Sequence, residues 1–426
     1  MRLTPGPTAV PPRVRDRLAE PALNPDVEPA FDDRYADVCA ALQTVYDTDD
    51  DVVVLGGEGI LGLEAAIAST ISPGDRVLCV SNGIYGDGFA DFVRQYDGEP
   101  TVVSADYDEP LDVAAVEAAL AEHEFAAATM VHCETPTGVV TDLEPILARL
   151  TDHDVLTVVD AVSSLGGMPV PSDGVDICLG ASQKALSAPP GLTTVSVSER
   201  AWDAVEATDP ASLYTNLAPW RDVSDGFPYT HLSALVAALD ESLAMLLEEG
   251  LDTVYARHES VAAHCRERAA EIGIDCYADP ARSAPTVTAL SLPGEAARVQ
   301  RDLADEHDVV LATGLGDLAD HVLRVGHTGY HAPLARVARP QAPPRARPHP
   351  RPPPAPAPAG PRPLTPPPLR PRHPPAPPPP PPPPLSPPPP PPCPTPSLLT
   401  PSCSSYRYRT RRPRRPPPGL PSPPHS

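Results

Sequence analysis

Lys184 is the only lysine in 426 residues, and it stands in the stretch Ala181-Ser182-Gln183-Lys184-Ala185-Leu186-Ser187-Ala188-Pro189-Pro190-Gly191. Arginine can replace lysine for charge and surface pairing but offers no amine for condensation with a carbonyl, so one retained lysine points to chemistry that needs that amine. Asp160 closes the apolar run Thr157-Val158-Val159-Asp160, 24 residues earlier. In open α/β sheets ligands sit outside the carboxyl ends of strands, which lets an acid ending one strand and an amine following another reach one crevice. A buried carboxylate and an amine are what pyridoxal 5′-phosphate (PLP) requires. The amine forms the Schiff base, and the carboxylate keeps the pyridine nitrogen protonated so that the ring withdraws electrons. Taken alone, Asp160 reads equally well as a helix N-cap.

The elements that must position these two residues alternate strand and helix. Val52–Leu55, Arg76–Val80, Thr101–Val103, Ala127–His132, Val155–Asp160, Asp176–Leu179 and Thr193–Val197 are short apolar runs suited to strands, with helical patterns such as Leu111–Glu122 and Leu143–Leu150 between them. That order predicts an α/β large domain: a mainly parallel sheet sandwiched by helices. Two long helical patterns, Thr230–Glu249 and Asp252–Ile272, meet at Gly250. A strand at Thr286–Leu292, a helix near Glu295–His307 and a strand at His321–Val325 then predict a smaller α+β domain. The expected organisation is an N-terminal arm (1–15), a large cofactor-binding domain (16–250), a small domain (251–330) that looks truncated, and a tail (331–426).

The chain joins two different polymers. Residues 331–426 hold 43 of the 65 prolines and 14 arginines with no acidic residue, whereas residues 1–330 carry 18 basic side chains against all 56 acidic ones. Such an acidic body excludes nucleic acid and anionic membrane as partners, because phosphate would repel it. Dense carboxylates with arginine in place of lysine fit a protein that stays soluble in high salt, where screening suppresses their repulsion. Six cysteines scattered singly through the body show no metal spacing and read as reduced thiols. With no apolar signal region after Met1 and no apolar run long enough to cross a bilayer, the expected compartment is the cytoplasm. The tail reads as extended and solvated. Between a genuine polyproline arm and out-of-frame translation of GC-rich DNA, the second is favoured, because the body's pattern stops mid-element after Tyr330. An intact reading frame in the resequenced DNA would remove that idea.

Four ordered segments carry a resemblance. They are Thr4-Pro5-Gly6-Pro7-Thr8, His132-Cys133-Glu134-Thr135-Pro136-Thr137-Gly138, Asp160-Ala161-Val162-Ser163-Ser164 and the segment around Lys184. Together they closely resemble the class V, fold type I PLP-dependent aminotransferases, nearest the alanine–glyoxylate and serine–pyruvate group, from about residue 3 to residue 330. The resemblance implies that Lys184 is the Schiff-base lysine and Asp160 the partner of the pyridinium nitrogen. Val162 and Tyr85 would face the two sides of the ring, Thr135 the ring oxygen, and Gln183 the phosphate. It further implies a homodimer with shared active sites, in which Thr230 reaches the neighbouring subunit's phosphate. Arg324, a two-pronged donor, would clamp the substrate carboxylate beside Gly6. The expected reaction is ping-pong transfer of an amino group from a small donor, alanine or serine, to glyoxylate or pyruvate.

One position departs from the family pattern. Gly57-Glu58-Gly59 stands where a Gly-Ser/Thr-Gly turn commonly gives a hydroxyl and backbone donors to the phosphate at a helix N-terminus. Glu58 offers no hydroxyl and opposes a phosphate unless it turns away, with the backbone donors of Gly59 and Ile60 left to serve. Two rival readings remain: a cysteine desulfurase-like lyase on the same fold, opposed by Gln183 where such enzymes carry histidine, and an inactive truncated remnant.

Overall fold

The computed structural model describes residues 1–208, 210 and 212–331. The expectations for the tail fall, from residue 332 on, outside the described residues. Within the described residues the strands, in chain order, are β1 (Asp51–Gly56), β2 (Arg76–Ser81), β3 (Glu99–Ser104), β4 (Ala127–Val131), β5 (Cys133–Glu134), β6 (Val139–Val140), β7 (Leu156–Asp160), β8 (Ile177–Ala181), β9 (Leu192–Val197), β10 (Val287–Ser291), β11 (Ala312–Thr313) and β12 (Val322–Gly326). The helices are α1 (Pro12–Arg17), α2 (Pro29–Tyr46), α3 (Gly59–Thr70), α4 (Ile84–Gln95), α5 (Val113–Glu122), α6 (Glu144–Asp152), α7 (Glu199–Thr208), α8 (Ser233–Glu249), α9 (Leu251–Glu271) and α10 (Ala296–His307).

Every residue of β4, β7, β8 and β9 is buried, as strands covered on both faces by helices must be. They belong to a seven-stranded sheet in the order β1-β9-β8-β7-β4-β2-β3. All its pairings are parallel except those of β9, which runs antiparallel to both β1 and β8. The physical reason lies in chain length: Ser182–Gly191 holds no crossover helix, so the chain returns beside β8 in the opposite direction. A second sheet, β10-β12-β11, is antiparallel and pairs Arg324 with Ala289 and Ala312.

The N-terminal arm joins the small sheet to the large one. Leu3 donates to the Val310 carbonyl and accepts from Gly326, while its side chain packs with Ala296, Leu311 and Leu323. Five residues on, Thr8 donates its N–H to the Gln183 carbonyl at 3.0 Å. A side chain at residue 326 would collide with the arm's Thr4 carbonyl carbon at 2.2 Å, so glycine there sets how closely the arm approaches.

β1 is an edge strand, and its outer backbone groups are met by aromatic side chains instead of another strand. Tyr35 Oη accepts the Val54 N–H at 2.9 Å, the His231 Nε2 bonds the Val54 carbonyl at 2.9 Å, and Tyr229 Oη accepts the Gly56 N–H at 2.9 Å. These residues pack with Phe31, Trp220 and Phe227, ring centroids 4.9–6.5 Å apart. The cluster fixes the strand that delivers the Gly57-Glu58 turn. His231 also accepts the Leu232 N–H on Nδ1, and Leu232 sits at φ −81°, ψ 66°, outside the helical region, so α8 begins at Ser233 and not at the expected Thr230. Tyr35→Phe removes the acceptor for a buried N–H. An expected loss of about 1–3 kcal/mol follows, read as a lower denaturation midpoint with an unchanged slope.

Candidate active site

Asp160 and Lys184 come from the carboxyl ends of adjacent strands. Asp160 closes β7, paired in register with Leu179 of β8, and Lys184 lies three residues past the end of β8. The lysine turn is tied internally. Ser182 Oγ donates to the Pro189 carbonyl at 2.6 Å and accepts from Leu192, and the Ser187 N–H donates to the Lys184 carbonyl at 2.9 Å with Ser187 in the left-handed region at φ 56°. Thr8 Oγ1 donates to the same Lys184 carbonyl at 3.0 Å. From the other side Tyr330 donates its N–H to Ser187 Oγ, so the last described residues close on this turn.

Gly6 lies against the lysine side chain. A Cβ there would meet Lys184 Cδ, Cε and Nζ at 2.7–2.9 Å, so only glycine lets the arm pass with the amine in place. The cavity they border encloses about 280 Å³ and is lined by Gly6, Pro7, Glu58, Gly59, Ile60, Leu63, Tyr85, Thr135, Asp160, Val162, Gln183, Lys184 and Pro190. It brings together every residue singled out from the sequence except Arg324 and Thr230. Arg324 is buried beside it: Nη1 donates to the Thr135 carbonyl at 3.3 Å and Nε to the Thr313 carbonyl at 2.6 Å. Thr230 is exposed, outside the cavity, and donates to Asp26 at 2.8 Å.

The site's electrostatics follow from dehydration. Burial pushes the Lys184 ammonium down to about 8, the Arg324 guanidinium adds to that push, and Asp160 opposes it. Burial likewise pushes the Asp160 carboxyl up to about 6, against the Val162 N–H it accepts at 2.8 Å and the pull of Lys184. A lysine in this state is largely uncharged above about pH 8, well below the pH an exposed lysine would need, as a nucleophile or proton carrier must be.

Some supporting residues had no assigned role in the sequence. Glu134, fully buried, accepts the Gly86 N–H at 2.8 Å and the Tyr85 N–H at 3.4 Å, and so holds the first turn of α4 that carries Tyr85. A side chain at residue 83 would collide with Glu134 at 2.2 Å, so Gly83 makes room for the acid. Ser163 bonds the Thr135 hydroxyl. The readable signal was the pair itself: a glycine with no capping side chain before α4, and an unassigned carboxylate inside the His132–Gly138 motif.

Glu58 does not turn away from the cavity. As the N-cap of α3 it accepts the Ile60 N–H at 3.2 Å, and its Oε1 accepts from Gln183 Nε2 at 2.7 Å. The Ile60 donor expected to remain available for a phosphate is thus engaged.

Residues 31–324 match the family model of the class-V aminotransferases. The chain belongs to that family. Among its relatives are an uncharacterized aminotransferase of Methanocaldococcus jannaschii, 33% identical over 77% of this chain and 87% of its own, and the pyridoxamine–pyruvate transaminase of Mesorhizobium japonicum, 35% identical over 77% and 86%. The solved alanine–glyoxylate aminotransferase of Nostoc sp. superposes with a TM-score of 0.76 at 29% identity, covering 79% of this chain and 92% of that one. This class-V aminotransferase is a PLP enzyme of fold type I. The residues at one end of the cavity fit the ring of that cofactor: an amine on Lys184, an acid on Asp160, a hydroxyl on Thr135, and Val162 and Tyr85 on the lining.

The pH dependence of the lysine tests this arrangement. Trapping of Lys184 by an aldehyde with cyanoborohydride, read by mass spectrometry, should rise with pH and level off above about 8. Arg324→Gln removes a positive neighbour and moves the midpoint up; Asp160→Asn removes a negative one and moves it down. With one lysine in the chain, the N-terminal amine is the one competing primary amine.

Proposed function

We propose that this PLP-dependent aminotransferase moves an amino group from a small amino acid, alanine or serine, to a small 2-oxo acid, glyoxylate or pyruvate, in two half-reactions. The observation that carries the reading is the dehydrated Lys184 amine set between Asp160 and Arg324 beside a cavity of about 280 Å³. Relatives named for alanine with glyoxylate and for pyridoxamine with pyruvate support the choice of a small acceptor.

When bound, PLP supplies an aldehyde that exchanges amines and a ring that takes up the electron pair freed at the substrate Cα. Lys184, uncharged above about pH 8, would carry the proton between the substrate Cα and the cofactor's aldehyde carbon. Asp160, oriented by the Val162 N–H, holds a proton at the ring nitrogen. Thr135 would hydrogen-bond the ring oxygen, and Val162 and Tyr85 would confine the ring. Arg324 spends two of its five N–H groups on carbonyls, and the others receive the substrate carboxylate. Gly6 and Pro7 lie on the lining and, with Leu63 and Pro190, exclude long side chains.

The purified chain with PLP should show a visible absorbance band that alanine converts to the pyridoxamine form, and Lys184→Ala should lack the band. A band unchanged by alanine, serine and aspartate would sink the aminotransferase reading.

The same proposal includes a cytoplasmic homodimer adapted to salt. Leu232 and Tyr214, both exposed, lie near the exposed Thr230, Tyr214 stacked on Tyr229, and Leu232 and Tyr229 lie against Gly56, where β1 enters the site. A partner covering that face brings a second Thr230 near Glu58 and Gln183. Among the described residues no helix is long and apolar enough to cross a membrane, and the six cysteines are free thiols. Between about 0.1 M and about 1 M salt the Debye length falls from about 10 Å to about 3 Å, relieving repulsion among the carboxylates. Sedimentation at high salt should give twice the chain mass, and the chain mass for Leu232→Asp. Melting temperature should fall as salt is withdrawn; a monomeric wild type, or a Tm indifferent to salt, would overturn the respective claim.

A further inference from the structure

The cavity's far end, where α3 begins, is built as an anion cradle, and the chain fills it with an anion of its own. α3 runs twelve residues from Gly59, with Ile60 N–H among its unpaired first donors. Gln183 Nε2 points to the same place from the lysine turn. Both donors go to the Glu58 carboxylate, at 3.2 and 2.7 Å. A second observation concerns the same side chain: Gln183 is buried, and its Oε1, an acceptor only, has no hydrogen-bond partner among the described residues, so the amide wants a donor, which a hydroxyl carries and a phosphate dianion does not.

A carboxylate and a phosphate want the same donors, and an ionised carboxylate accepts only. A hydroxyl at residue 58 would instead donate to phosphate oxygens. Glu58 thus removes one donor from the cradle, engages two more, and adds a negative charge facing a group that carries nearly two. Its outer side is exposed, so it can swing aside, but the charge stays within reach of the phosphate. The opposite preference holds for a neutral hydroxymethyl arm. Such an arm donates an O–H to the carboxylate and accepts from Gln183 without repulsion.

Resting on the PLP reading above, we propose that Glu58 is a specificity-determining residue that takes the place of the 5′-phosphate, so that this site binds the phosphate-free pyridoxal ring at least as tightly as PLP. The ring-end residues serve both forms alike; the difference between them is confined to the turn at Glu58.

The test is titration of the purified full chain at high salt with pyridoxal and, separately, with PLP. Each is read by the visible band and by the mass of the Lys184 adduct after borohydride reduction, so turnover is not needed. The expected result is a pyridoxal Kd equal to or below that of PLP. Glu58→Thr should tighten PLP about tenfold or more, while pyridoxal, which loses the charged acceptor for its O–H, should bind no tighter than before. Glu58→Gln, which keeps the shape but not the charge, should fall between. PLP binding tenfold or more tighter than pyridoxal in the wild type would overturn the inference while the aminotransferase reading stands, and the wild-type comparison decides this even if a variant fails to fold. An unchanged preference in both variants would overturn it too. No band with either compound would bring down the inference together with the reading on which it rests.

Discussion

Dehydrating one amine is the constraint on which the site depends. Water would hold the Lys184 ammonium charged to well above neutral pH; burial against Gly6, with Arg324 behind Thr135, withdraws that support and brings the amine down to about 8. The cost of an unpaired buried ammonium is limited because Asp160 lies close enough to pull in the other direction. The balance is geometric. It requires an arm with no side chain at residue 6, a turn held by Ser182 and Thr8, and a cation seated in the small sheet.

The sheet turns these needs into positions. A parallel ladder puts the ends of β7 and β8 side by side, which sets Asp160 beside the start of the lysine turn. The reversal of β9 keeps that turn short, and a short turn has little freedom to lose on ordering. Glu134 plays the corresponding part for α4: a buried acid in a helix N-terminus, pushed up to about 8 by burial, locks the turn that carries Tyr85.

Much of this was legible in the sequence, because parallel strands buried on both faces write themselves as uninterrupted apolar runs, and because Lys184 stands alone. The α/β class, the strand sequence and the pairing of Asp160 with Lys184 could be read that way; the other cavity residues, Gly6, Tyr85, Thr135, Val162 and Gln183 among them, came from the resemblance of the ordered motifs to the family. The direction of β9 could not, since pairing depends on the length and content of a loop rather than on the strand's own residues. α2 was not among the expected elements, although Phe31, Tyr35, Val38, Leu42 and Val45 recur at helical spacing on its buried face. Glu58 was recognised as a departure, but whether its carboxylate faced in or out rests on Gln183, 125 residues away. Thr230 lies outside the cavity of one chain, a position no single-chain pattern encodes.

The arm has a consequence for the order in which the molecule is made. Leu3 finds its hydrogen-bonding partners at Val310 and Gly326, so during synthesis this segment waits for some three hundred later residues before it can find its seat. The seven-stranded sheet, complete by Val197, can form while that segment is still loose. Gly6 then reaches Lys184 only after more than three hundred residues have been joined, a closure of high contact order that delays assembly of the site until the small sheet exists. A nascent chain of this protein would hold its reactive amine open to water and to stray aldehydes until that final stitch.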